Sequence, residues 1–340
     1  MKRLIRGLLL VVVCLAVLVG AAVAYLGLKR PAQRPASAEK IEATPARLAR
    51  GEYLALHVVD CLLCHSEVDF ERFGLPRVPG TAGKGGFRFG KQFNVPGVLY
   101  ARNITPDPET GIGAWTDGEI LRAMREGVDR HGDTIFPMMP YDGYRYMSDE
   151  DAKSIVAYLR TLPPIRNAVS DKKIDFPVNL LVKAAPQPLA GPVAAPDRKD
   201  SVAYGRYLTI IGGCIGCHTP ESQPGKPVPG RAYAGGRVFR GPWGRNVTPN
   251  LTPHKDAYLG RATKEEFIGR FRSFASLTGE NAPVAPKGRN TLMPWLALSG
   301  ATDEDLGAIY DFLKTLPPIE NKVNPFPDSA DAAAPAKSGG

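Results

Sequence analysis

Cys61-Leu62-Leu63-Cys64-His65 and Cys214-Ile215-Gly216-Cys217-His218 are two copies of one pattern, C-x-x-C-H, set 153 residues apart. Two thiols three positions apart on the first turn of a helix can each add to one vinyl group of a single porphyrin. The adjacent imidazole then reaches the iron. The pattern is the attachment signature of c-type haem, and two copies predict two covalently bound haem c groups. Cys61 and Cys64 would hold one and Cys214 and Cys217 the other, with His65 and His218 as proximal ligands. A four-cysteine zinc site wants its second pair about 15–20 residues after the first, and a redox dithiol needs no following histidine. The fifth cysteine, Cys14, lies in an apolar run and reads as a lipid-facing residue.

Working outward, the chain repeats itself with a period of about 154 residues. Gly51-x-Tyr53-Leu54 answers Gly205-x-Tyr207-Leu208 before each motif, and Arg102-Asn103-Ile104-Thr105-Pro106 answers Arg245-Asn246-Val247-Thr248-Pro249 after it. Thr116 with Glu119, Ser148 with Asp151, Thr263 with Glu266 and Thr302 with Asp305 are helix starts, each followed by apolar residues at helical spacing. Pro163-Pro164 and Pro317-Pro318 stop the last helix of each copy. The expected division is a membrane anchor at 1–30, one haem domain at 45–168, a linker at 169–200, a second haem domain at 201–322 and a disordered tail at 323–340.

The ligand on the far side of each haem decides between carrying electrons and doing chemistry. Met139-Pro140 lies nine residues before Ser148, and Met293-Pro294 lies nine before Thr302. That register selects Met139 and Met293 over Met138, Met124 and Met147, and over His57, His131 and His254, which read as helix or loop residues. A soft thioether favours ferrous iron and raises the potential. The haem propionates need donors, for which Arg102, Asn103, Arg245 and Asn246 are candidates. Trp295, beside Met293-Pro294, has a specific reason to lie near haem, whereas Trp115 and Trp243 read equally as core.

The net charge is +9, but residues 1–50 hold nine Lys/Arg against two Asp/Glu, so the globular part offers no basic surface for nucleic acid. From Leu8 to Leu28 the chain runs without a charge, which as helix covers about 32 Å and is enough for one membrane span. A cleaved signal sequence is the competing reading, from Lys2, Arg3 and Arg6 and the small residues Ala22-Val23-Ala24. The run exceeds a signal h-region, so an anchor is expected. Because haem attachment belongs to the outer side of an energy-transducing membrane, the globular part is expected to face the periplasm.

The stretch from Asn103 to Val128, Met139-Pro140-Tyr141 and the Ser148 to Pro164 helix is similar to the cytochrome c subunits of bacterial periplasmic alcohol, gluconate and related dehydrogenases. The resemblance is close over about residues 48–165 and looser over 202–320. It implies a mainly α chain of tandem class I cytochrome c domains behind one N-terminal transmembrane helix. It also implies thioether attachment at Cys61, Cys64, Cys214 and Cys217, and axial ligation by His65, Met139, His218 and Met293. The implied function is passage of single electrons from a periplasmic dehydrogenase towards the respiratory chain, with an oxidase, quinone or soluble cytochrome as acceptor and no catalysis of its own. Those subunits carry three haem domains, and this chain has two. The competing function is a dihaem peroxidase or sulfur-compound oxidase, which needs an open or His-ligated distal site; Met-Pro in both copies argues against it.

Overall fold

The computed structural model describes residues 2–223, 225–286 and 289–327. An apolar helix, α1 (Lys2–Leu28), opens the chain with none of its residues buried. The first half then runs α2 (Pro45–Tyr53), a π turn (Leu54–Val58), α3 (Cys61–Cys64), strands β1 (Arg88–Phe89) and β2 (Gly97–Tyr100), α4 (Asp117–Glu126), α5 (Tyr141–Tyr144) and α6 (Asp149–Leu159). A connecting stretch holds β3 (Lys173–Ile174) and α7 (Val178–Leu181). The second half runs α8 (Ser201–Ile211), α9 (Cys214–His218), β4 (Glu221–Gln223), β5 (Lys226–Pro227), β6 (Val238–Gly241), β7 (Gly244–Val247), α10 (Tyr258–Arg261), α11 (Lys264–Arg272), α12 (Trp295–Leu298) and α13 (Asp303–Lys314). The three sheets are small and antiparallel, and the mainly helical expectation holds.

The helix starts fall where the hydroxyl and carboxylate spacing put them. Thr116 and Thr263 form full capping boxes with Glu119 and Glu266, while Ser148 and Thr302 accept from the N–H of Asp151 and Asp305. In each half the first helix crosses the last, α2 on α6 and α8 on α13, with a glycine at the crossing. A Cβ on Gly51 would stand 1.9 Å from Ser154 O, and one on Gly205 would stand 1.8 Å from Ala308 O. Only glycine lets these backbones touch.

The halves pack together through one pair of contacts made twice. The Tyr53 hydroxyl donates to Asp305 Oδ2 at 2.8 Å and accepts from Thr302 N at 3.1 Å. The Tyr207 hydroxyl donates to Asp151 Oδ2 at 2.6 Å and accepts from Ser148 N at 3.1 Å. Each half thus places a tyrosine on the last-helix cap of the other, an approximate two-fold arrangement. The apolar core is continuous across it, with Tyr204, Tyr207, Leu208 and Ile211 in one cluster with Leu54, Val58 and Ile155.

Two expectations about the connections need correction. Residues 169–200 are no bare linker: β3 pairs with β2, and Lys183 Nζ donates to Leu26 O at 3.3 Å at the end of α1. Of the tail at 323–340, residues 328–340 lie outside the described residues, but its start is fastened, with Val247 N–H donating to Pro325 O at 3.0 Å.

Candidate haem sites

Each C-x-x-C-H helix is entered through a left-handed residue, Asp60 (φ 48°) before α3 and Gly213 (φ 71°) before α9. That kink turns the chain sharply out of the preceding helix and starts the cysteine turn afresh. The four motif cysteines are free thiols, none joined in a disulfide. Burial first, then the Asp60 carboxylate and Cys64, push the Cys61 thiol up to about 12, and burial with Cys217 pushes Cys214 up to about 12. A redox dithiol needs a depressed pKa, which these buried thiols lack.

The imidazoles are oriented alike. His65 Nδ1–H donates to Arg102 O at 2.7 Å and His218 Nδ1–H donates to Pro249 O at 2.9 Å. A committed Nδ1 leaves Nε2 as the ligating atom and fixes the ring plane. Burial lowers the pKa of both, against the hydrogen bond that raises it, which favours the neutral ring that a metal requires.

The Met-Pro turns of the two halves share one local geometry. Tyr141 N–H donates to Met139 O and Trp295 N–H to Met293 O, both at 2.8 Å, and Pro140 (φ −80°, ψ 51°) matches Pro294 (φ −77°, ψ 62°). Met139 packs in the apolar cluster that holds Cys61, and Met293 in the one that holds Cys214. Met138 packs with the other motif cysteine, Cys64, and with Phe87 and Phe136. Two thiols, an imidazole committed at Nδ1 and a thioether, set among apolar side chains, fit a covalently held haem. Among the described residues no group of three or more His, Cys, Asp or Glu side chains forms a metal-ligand set.

The propionate donors expected at Arg102, Asn103, Arg245 and Asn246 fare differently. Asn103 is spent on structure: its Nδ2 donates to Ile165 O at 2.7 Å, and its Oδ1 accepts from Thr105 N and Oγ1 at 2.9 and 2.7 Å. Arg102 turns to Val169 O, Ser170 O and Asp171, and only its carbonyl serves the site. The second-half counterpart of Asn103 is Asn250, which donates to Ile319 O at 2.7 Å and accepts from Thr252 N and Oγ1 at 2.9 and 2.8 Å. The repeat alignment through Arg245-Asn246 is therefore four residues out of register. Asn246 instead braces the approach to Met293, accepting from Leu292 N at 3.1 Å.

Trp295 lies in the Met293 cluster as expected, and Trp115 packs in the first-half core. Trp243, at the β6–β7 turn, is 1% exposed and lies against Phe70 and Phe93 of the first half, ring centroids 6.0 and 5.2 Å away. His57 lies in the π turn with Nδ1 2.9 Å from Ala297 O of the second half. His131 and His254 are loop residues in hydrogen-bonded turns.

Comparison with known proteins agrees with this geometry. The profile of the cytochrome c family matches residues 202–317. The diheme cytochrome c-type of Cereibacter sphaeroides is 32% identical over 312 residues, covering 90% of this chain and 97% of the relative. The chain is a c-type cytochrome. This cytochrome is also 33% identical over 294 residues to the gluconate 2-dehydrogenase cytochrome c subunit of Pantoea cypripedii, covering 81% of the chain and 60% of that subunit. It is 29% identical over 315 residues to the cytochrome c subunit of the quinone alcohol dehydrogenase of Gluconobacter oxydans, covering 88% of the chain and 61% of that subunit. The cytochrome thus spans about three-fifths of the length of those two dehydrogenase subunits.

Proposed function

We propose that the cytochrome is a dihaem electron-transfer subunit that takes single electrons from a periplasmic dehydrogenase and passes them to a respiratory acceptor. In this reading residues 45–168 and 201–322 are class I cytochrome c domains. Cys61, Cys64, His65 and Met139 hold one haem, and Cys214, Cys217, His218 and Met293 the other. The bound haems would supply one-electron Fe(III)/Fe(II) cycling; the chain supplies orientation. Arg102 O and Pro249 O aim the imidazoles, and the two Met-Pro turns close the far side against an exogenous ligand. The helix α1 would anchor the relay, with both halves on the periplasmic side.

The observation that carries this reading is the repetition, in both halves, of a carbonyl-fixed histidine after C-x-x-C and of a Met-Pro turn whose methionine packs in the cluster of the first motif cysteine. A substrate-binding haem would need one of these to differ. The test is Met139→Ala and Met293→Ala in the haem-loaded protein. Each is expected to retain both thioether-bound haems while its reduced form gains one carbon monoxide per chain. No uptake in either variant would overturn the ligand assignment.

A further inference from the structure

The halves differ in two loops, and the differences meet. His65 and Arg102 are separated by 37 positions, against 31 between His218 and Pro249; Thr116 and Met139 are separated by 23, against 30 between Thr263 and Met293. The longer proximal loop of the first half lies on the longer distal loop of the second. Phe73 N–H donates to Pro283 O and Ala285 N–H to Glu71 O, both at 2.8 Å, Arg72 bridges Val284, and the Phe73 and Phe274 rings stack with centroids 5.4 Å apart.

Asn290 stands where these loops join, 2% exposed. Its Nδ2 donates to Phe70 O at 3.0 Å and Arg72 O at 2.7 Å in the first half, and its Oδ1 accepts from Gly74 N at 3.0 Å. The same Oδ1 accepts from Thr291 N at 2.8 Å. From there each backbone N–H towards Met293 has a fixed acceptor. Asn290 N–H donates to Trp243 O at 3.0 Å, Leu292 N–H to Asn246 Oδ1 at 3.1 Å and Met293 N–H to Thr291 Oγ1 at 3.1 Å. Asn246 Nδ2 closes the circuit on Asn290 O at 2.9 Å. The residue three before Met139 is Phe136, an apolar side chain that makes no such clamp.

A buried polar network with every member satisfied is rigid, and removing one member strands its partners. A thioether is a weak ligand, held by the geometry of its loop. We propose that Asn290 is a positioning residue for Met293, so that the first half, docked through its 66–78 loop, holds the distal ligand of the second haem. This rests on Met293 as that ligand. The polar clamp has no counterpart at Met139, which shares an apolar cluster with Tyr207, Leu208 and Ile211 of the second half instead.

The test uses the full-length, haem-loaded protein. In Asn290→Ala the sulfur-to-iron charge-transfer band of the oxidised form is expected to fall by half, and the reduced form to take up one carbon monoxide per chain where the unaltered protein takes up none. Adding Met293→Ala to Asn290→Ala should leave that uptake at one. Gly74→Ala approaches the clamp from the first half, because its Cβ would stand 2.5 Å from Leu296 Cδ1 in α12, and it decides the matter if Asn290→Ala does not fold. It should open the same haem to a smaller extent. If Met293→Ala opens a site while Asn290→Ala and Gly74→Ala keep the full band, the clamp is overturned and the ligand reading stands. If Met293→Ala opens none, the ligand reading itself fails and the clamp with it.

Discussion

The first and second halves reach the same haem-side geometry by different routes. Three shared features serve the proposed cofactor sites: the Nδ1-to-carbonyl bond, the Met-Pro turn and the left-handed entry into C-x-x-C-H. Where they differ, the difference serves the contact between them. Ten positions separate Gly51 from Cys61 but nine separate Gly205 from Cys214. The extra residue is taken up by the π turn at Leu54–Val58, which brings His57 against Ala297. The departures report docking, whereas the shared features report the haem sites and, in the reciprocal Tyr53 and Tyr207 caps, docking as well.

The harshest way to break the comparison is at the helix crossings. Alanine at Gly51 or Gly205 gains about 1 kcal/mol of helix propensity but drives a Cβ into a carbonyl, an overlap costing about 3 kcal/mol. Both substitutions should destabilise by similar amounts in denaturant titrations, and stabilisation by either would show that the crossings are not equivalent. Next come the reciprocal tyrosines. Tyr207→Phe strands Ser148 N and removes one donor from Asp151, and Tyr53→Phe strands Thr302 N and removes one donor from Asp305, each at about 1–2 kcal/mol. Tyr207→Phe should cost more, since Tyr207 is the more buried of the two. Equilibrium unfolding of the two variants measures that order directly.

A subtler probe is pH. Burial raises the Asp60 carboxyl to about 7, against the lowering effects of Arg77 and of the Leu63 N–H, and its counterpart Gly213 has no titrating group. A carboxyl whose folded pKa is raised favours the folded state fully below about pH 4 and loses that contribution as pH rises towards 7. Stability should therefore decline across that window, and Asp60→Asn, which tolerates the left-handed backbone, should flatten the decline. An unchanged slope would place the titration elsewhere. The smallest effect is expected from Arg102→Ala. Its side chain meets Asp171 at 3.3 Å on the surface, 61% exposed, while the backbone carbonyl alone aims His65, so stability should move by less than about 0.5 kcal/mol and the haem spectrum not at all.

Much of the site was legible because its signals are local. The cysteine turns, the hydroxyl caps and the position of each Met-Pro relative to the next cap all depend on residues within ten positions of one another. Arg245 and Asn246 stand four residues out of register with Arg102 and Asn103 for the same reason. Arg-Asn-x-Thr-Pro recurs at 245–249, but the hydrogen-bonded Asn-x-Thr unit that matches Asn103 begins at Asn250, and string identity carries no information about which copy the histidine carbonyl precedes. The interface was not legible at all. Asn290 reads as an ordinary loop residue, since its four partners are backbone groups, three of them more than two hundred positions away.

The central claim, two haems each closed by histidine and methionine, is tested most directly by low-temperature electron paramagnetic resonance of the oxidised protein with haem content quantified alongside. The account predicts two haems per chain and two low-spin ferric signals with no high-spin component. A high-spin signal from one haem in the intact protein would contradict it and return that half to the reading of a substrate-binding site.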